Sequence, residues 1–389
     1  MLAVVLSGGG ARGAYEAGVL SYVFGELSRN HEQGPRFDTV CATSVGAVNG
    51  TFLAAVADDP AAGVERMRRL WSELALEDVL RFGFRQAIGL HRVVLGGSSA
   101  RGIFDARPLA ELVGRAIPWR QVRRNLSNGK LKALTVTATH VASGRPVVFV
   151  DHSRDTCLPV TLPANVVVRG ERILPHHVLA SAAIPLVFPP IRIRADLYCD
   201  GGLRLNTPMA PALHLGADSI FAIGVSTRSG LNSPSSLDAS RYPGAPFLLG
   251  KVLNAFLLDH VNADLNELAR INQFLEDGLA LCGPDFIDRL NERAMHRGEA
   301  PRRRVAALVI RPSVDIGQIA GDHLRAHRAR FGRAMGRSFL RLLDVGEGAD
   351  SDLASYLLFD GEFAKRLIQL GRADAAAKRD EITQFFLSS

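Results

Sequence analysis

The chain has 389 residues, 47% apolar and 22% charged, a globular composition that excludes general disorder and suits one large domain or two ordinary ones. Its 46 Lys and Arg against 39 Asp and Glu give a net charge of +7, which favours either an anionic partner or, the preferred reading, a solvated arginine-rich surface. No apolar run reaches the ~20 residues of a membrane-spanning helix, and Leu2 to Leu6 is too short for a signal-peptide core, so the mature protein is expected to begin at or near Met1, in the cytoplasm. Cys41, Cys157, Cys199 and Cys282 contain no CxxC pair, which gives no support to a zinc or thioredoxin-like centre.

Ala3 to Leu6 reads as a buried parallel strand, broken by Ser7-Gly8-Gly9-Gly10-Ala11-Arg12-Gly13. Helical spacing follows from Ala14 to Leu27, where small Ala14 and Gly18 would let the helix lie close on a sheet. The pattern repeats with a strand over Phe37 to Thr43, a helix from Val45 to about Val56 and an amphipathic helix over Val64 to Leu76. Strand and helix alternating from the start predict an α/β layered fold with a parallel sheet. From Glu77 to Ala100 the pattern weakens, and it recovers as a helix over Pro108 to Ile117. Leu131 to Thr139, the turn Ser143-Gly144-Arg145-Pro146 and Val147 to Val150 read as a hairpin. Ser219 to Val225 is a further buried strand, and Arg228 to Pro246 has a linker's composition. A long helix over about Phe247 to Leu275, a last strand over Val305 to Arg311 and helices to the end complete the pattern.

Gly8 to Gly13 matches G-x-G-x-x-G between strand and helix, the dinucleotide fingerprint, yet the same turn gathers backbone N–H groups that suit any anion. A dinucleotide site wants an acid at the end of the second strand, and this strand ends in Thr43-Ser44. Ala42-Thr43-Ser44-Val45-Gly46 is close to the nucleophile elbow G-x-S-x-G, with Ala42 where the motif has glycine. The alternative is that Ser44 only caps its helix. A serine nucleophile needs a base, and none of the eleven histidines lies in a recognisable late-loop motif, His176-His177 and the pair His323 and His327 included. Asp200, at the end of an apolar strand and followed by Gly201-Gly202, is the stronger base, the alternative being a plain Asp-Gly turn.

In this order and spacing, Gly8 to Gly13, Thr43-Ser44-Val45-Gly46 and Asp200-Gly201-Gly202 resemble the patatin-like phospholipase family. Ala180-Ser181-Ala182-Ala183-Ile184-Pro185, Phe188-Pro189-Pro190 and Asn206-Thr207-Pro208 look like the segments that flank the family's aspartate. The resemblance runs over about Leu2 to Thr227 and, more weakly, over Leu353 to Ala375. It implies a three-layer α/β/α sandwich with a mostly parallel central sheet: a catalytic core over 1–227, a linker or mobile loop over 228–246, and a mainly helical region over 247–389 packed on the core.

It also implies a lipid acyl hydrolase of phospholipase A or lysophospholipase type, with Ser44 as nucleophile and Asp200 as base. Gly8, Gly9 and Gly10 would form an oxyanion hole, with Arg12 supporting it or facing a lipid phosphate. No metal or cofactor is implied, the partner is a phospholipid or other lipid ester, and no nucleic acid is expected. An acyltransferase with the same acyl-enzyme, or a non-catalytic dinucleotide- or lipid-binding module, are the alternatives. Carrier-protein acyltransferases usually set a histidine beside the serine, where this chain has Thr43. For peripheral membrane contact, Leu80, Phe84 and Ile88 form a helical stripe flanked by Arg81, Arg85 and Arg92, which could equally pack on the sheet. The basic run from His323 to Arg337 is the next choice.

Overall fold

Leu2–Leu6 forms strand β1, five consecutive buried residues, as a strand covered on both faces requires. A computed structural model of the chain describes residues 1–29, 34–80, 104–154, 156, 165–227, 261–299, 301–343 and 352–388. After the glycine turn come α1 (Gly13–Leu20), which continues as a wider π-type coil over Ser21–Leu27, and then β2 (Thr39–Thr43) and α2 (Val45–Ala55). The next helix, α3 (Pro60–Glu73), starts earlier than its apolar spacing suggests. Asp59 caps it by accepting from the Ala62 N–H at 3.3 Å, and Pro60 sits at its first position.

The chain resumes with α4 (Arg107–Ala116) and α5 (Trp119–Ser127). Sequence reasoning passed over α5, although its buried Val122 and Leu126 are four residues apart on one face. Then follow the hairpin of β3 (Ala133–His140) and β4 (Pro146–His152), β5 (Val167–Gly170), α6 (Pro175–Ser181), β6 (Ile191–Ile193), β7 (Asp196–Asp200), α7 (Met209–His214) and β8 (Ser219–Ile223). The remainder is α8 (Val261–Cys282), α9 (Phe286–His296), β9 (Ala306–Ile310), α10 (Ile316–Leu343), α11 (Asp352–Leu357), α12 (Gly361–Ala377) and α13 (Arg379–Leu387).

The described strands make one sheet in the order β5-β4-β3-β2-β1-β8-β9, mostly parallel, with β7 and β6 added at the far end of β3. β1 lies between β2 and β8, both parallel to it. Side chains alternate across β1: Leu2, Val4 and Leu6 join one core with α1, α3 and α12, while Ala3 and Val5 join a second with α7 and Leu268 of α8. Two cores on opposite faces of a mostly parallel sheet make the α/β/α sandwich that the sequence implies.

Gly18 serves a different neighbour from the expected one. A Cβ there would fall 2.4 Å from the Ile368 carbonyl, and one at Gly371 would fall 2.4 Å from the Tyr15 carbonyl, so both glycines let α1 and α12 touch backbone to backbone. Leu80, the first residue of the expected membrane stripe, is core and only 2% exposed, within a turn closed by its N–H to the Leu76 carbonyl at 2.8 Å. Phe84, Ile88 and the arginines beside them lie outside the described residues, as does the expected linker over 228–246. His323, at the head of the basic run, is likewise buried, with Nε2 3.0 Å from Asp360 Oδ1. None of the described helices is long and apolar enough to cross a membrane.

Candidate active site

Strand order brings the two motifs together. β2 ends at Thr43, its neighbour β3 runs further, and the far end of β3 pairs antiparallel with β7, setting Ala138 opposite Asp200. Ser44, one residue past β2, therefore meets the last residue of β7, and its Oγ donates to Asp200 Oδ2 at 2.6 Å. Both side chains are buried.

Ser44 sits on a strained turn, with φ +55° and ψ −126°. A left-handed backbone costs a residue with a Cβ roughly 1–2 kcal/mol, so the neighbours must hold it there. Its N–H donates to Ser181 Oγ at 2.8 Å, and that hydroxyl donates to the Thr137 carbonyl. Gly46 allows the following helix to start hard against β1, since a Cβ there would lie 2.6 Å from the Leu6 carbonyl oxygen. Ala42, the departure from the elbow motif, is accommodated by Gly50 of α2: a Cβ on Gly50 would come within 2.8 Å of the Ala42 methyl. Thr43, where a dinucleotide site would have an acid, donates its hydroxyl to the Leu205 carbonyl at 2.9 Å.

Asp200 is equally constrained. Its N–H donates to the Ala183 carbonyl at 2.9 Å, and Oδ1 accepts from the Gly202 N–H at 2.7 Å. Burial raises its pKa to about 7, against the smaller lowering effects of the Ser44 and Gly202 hydrogen bonds.

The glycine turn lies directly against Ser44, for a Cβ on Gly8 would lie 2.9 Å from Ser44 Cβ. The Gly8 N–H donates to the Asn206 carbonyl at 3.1 Å, so that donor is already engaged. Gly10 has φ +57°, and a Cβ there would fall 2.2 Å from the Tyr356 carbonyl oxygen of α11, so this position admits only glycine. Arg12 is buried with its guanidinium turned toward the same helix. Nε donates to Ser355 Oγ at 2.8 Å, Nη2 lies 3.3 Å from Asp352 Oδ1, and the group stacks over the Tyr356 ring at 4.2 Å.

Behind the turn is a buried carboxyl, Glu16 of α1. Its Oε2 accepts from Asn49 Nδ2 of α2 at 2.8 Å, and Asn49 Oδ1 accepts from Trp71 Nε1 of α3 at 2.9 Å. Burial pushes the Glu16 pKa up to about 8, opposed by Asn49 and the Ser7 backbone.

Two of the histidines weighed as bases are engaged elsewhere. His177 Nδ1 accepts from the Leu174 N–H at 3.0 Å, and His323 pairs with Asp360. Sequence reasoning did not foresee Ser181, Asn206, Ser355, Tyr356 or Glu16. Ser181 and Asn206 stood inside segments already singled out, and Ser355 and Tyr356 inside the weaker resemblance over Leu353 to Ala375, but nothing local tied that helix to a turn more than 300 positions away.

Against this geometry, the family model for patatin-like phospholipases matches residues 4–213, more than half of the chain. The chain belongs to that family. Among solved structures the patatin-like chain is similar to VipD from Legionella pneumophila, with 14% sequence identity and a TM-score of 0.31 over 80% of this chain and 60% of that one. The patatin-like chain thus spans about 60% of the length of that neighbour. No curated protein matches it. Ser44, Asp200 and the glycine turn all fall inside the matched residues, and α11 falls beyond them. Among the described residues no three His, Cys, Asp or Glu side chains are grouped to hold a metal ion.

Proposed function

We propose that this protein is a serine lipid acyl hydrolase, of phospholipase A or lysophospholipase type, working through Ser44 and Asp200. The observation that carries the reading is the 2.6 Å hydrogen bond from a strained serine hydroxyl to a buried aspartate. An exposed carboxylate near pKa ~3.9 is a weak base for an alcohol, and one raised to about 7 is matched to neutral pH.

In the proposed cycle Asp200 takes the Ser44 proton as Oγ adds to the ester carbonyl. The carbonyl oxygen becomes an oxyanion beside the glycine turn. With the Gly8 N–H committed to Asn206, Gly9 and Gly10 are the donors proposed for it, each worth on the order of 3 kcal/mol in the transition state. The intermediate collapses and the alcohol leaves with the proton held by Asp200; water then adds to the acyl carbon as the same carboxylate takes its proton, and Asp200 returns that proton to Ser44 Oγ as the fatty acid leaves. Without an imidazole to protonate a poor leaving group, esters are favoured over amides. The contacts of Arg12 with α11 support its role as a brace for the turn rather than as a phosphate ligand.

The test is mass spectrometry of the products after incubation with mixed membrane phospholipids. Free fatty acid and lysophospholipid are expected from the unmutated protein and neither from Ser44→Ala. Equal release by both proteins would overturn the reading.

A further inference from the structure

Leu186 carries two penalties at once. Its φ is +69°, a left-handed conformation that a branched aliphatic residue rarely adopts, and its side chain is 56% exposed. The segment around it is not loosely held. Ile184, Val187 and Phe188 are all core residues. The Ala183 carbonyl accepts the Asp200 N–H, the Phe188 N–H donates to the Ile184 carbonyl at 2.9 Å, and the Phe104 N–H donates to the Val187 carbonyl at 3.0 Å. A loop pinned on both sides of Leu186 thus turns one large apolar side chain into water, three residues from the group that anchors Asp200. Asparagine or glycine would remove both penalties at this position. A strained residue that turns an apolar side chain into water points to something outside the fold.

We infer that Leu186 is the apolar contact through which the protein rests on a lipid surface. The inference builds on the proposed hydrolase reading, because a lipid ester is presented by an aggregate. An exposed leucine on the segment that anchors Asp200 is released from water only when that aggregate covers it. The net charge of +7 makes an anionic surface the matching one. Leu80, which the sequence pattern offered for this task, is core and unable to perform it.

The experiment compares the full chain with Leu186→Asn and Leu186→Met. Binding is measured by co-sedimentation with vesicles of diether phosphatidylcholine and diether phosphatidylglycerol in equal parts, whose lipids have no ester to cleave. Leu186→Asn should bind about tenfold more weakly, and Leu186→Met should bind within about twofold of the unmutated chain. Thermal unfolding of Leu186→Asn should be unchanged or shifted upward, the sign expected from relief of backbone strain, while a soluble short-chain ester is cleaved as before. Unchanged vesicle binding by Leu186→Asn overturns the inference. So does a lowered unfolding temperature with both readouts falling together, which would make Leu186 part of the core. If the unmutated chain cleaves no ester at all, the hydrolase reading fails, while the vesicle binding still decides the role of Leu186.

Discussion

Ser44 lies against Gly8 of the Gly8–Arg12 turn, yet the two halves of the site are held by different parts of the chain. The pair is fixed from nearby in the sheet: Ser181 and Thr137 behind the serine, Ala183 and Gly202 on the aspartate, all within the family-matched residues. The turn is fixed partly by Asn206 and partly by α11, whose Tyr356 carbonyl abuts Gly10 and whose Ser355, Asp352 and Tyr356 side chains hold Arg12. The part proposed to perform proton transfer is therefore internal to the shared core. The part proposed to stabilise charge depends on a helix beyond it. Changes at the Ser44–Asp200 pair should show chiefly in chemistry, and changes at the α11 contact should act on chemistry and stability together.

The largest expected effect is on the pair. Asp200→Asn should lower ester hydrolysis by about a thousandfold or more, and adding Ser44→Ala should lower it little further, because the two residues act as one unit. In the unmutated protein, kcat/KM should fall about tenfold per pH unit below the Asp200 pKa of about 7, since Asp200 must be ionised to accept the proton. Near-full activity of Asp200→Asn would place the base elsewhere and break the comparison at its first term.

Next comes the clamp. Arg12→Ala should cost about 3 kcal/mol in chemical unfolding by removing a buried guanidinium with its bond to Ser355, its ion pair to Asp352 and its stack on Tyr356, and should lower hydrolysis of a soluble ester at least tenfold. Ser355→Ala should do less of both, and the double variant should fall short of the sum because the two share a bond. If Arg12→Ala impairs phospholipid cleavage and spares the soluble ester, Arg12 reads the phosphate and the turn does not need α11.

The smallest effect on activity is at Glu16, which lies behind the turn. Its folded pKa of about 8 lies above its ordinary value of 4.5, so the protonated form favours the fold and stability is lost as pH rises from 4.5 through 8. Glu16→Gln escapes that loss: its unfolding temperature should draw ahead of the unmutated chain's between pH 5 and 8 and then keep a constant lead. Activity at pH 7, where Glu16 is mostly protonated, should stay within about twofold. A constant lead across the whole range would show that Glu16 does not titrate in the fold.

What was legible in the sequence follows the same division. β1, the glycine turn and the Ser44 elbow are local signals, a short apolar run broken by glycines, and they appear where the spacing put them. Asp200 was legible because a strand end followed by two glycines is also local. The Arg12 contacts were not, since a guanidinium's partners some 340 residues away leave no trace in spacing. Leu80 stayed open between core and lipid because a helical stripe looks alike whichever it faces, and only burial separates the two. Gly18 was correctly seen as a point of close approach, but its partner was a late helix rather than the sheet.

The position of α11 also orders events in time. During synthesis Ser44 leaves the ribosome early, and Asp352 follows roughly 300 residues later, on the order of 15–60 s at usual elongation rates. β1 also waits, because its neighbour β8 is not made until residues 219–223. A nascent chain thus carries the nucleophile long before the brace on the glycine turn exists. Chain order alone therefore makes the brace one of the last parts of the proposed site to exist.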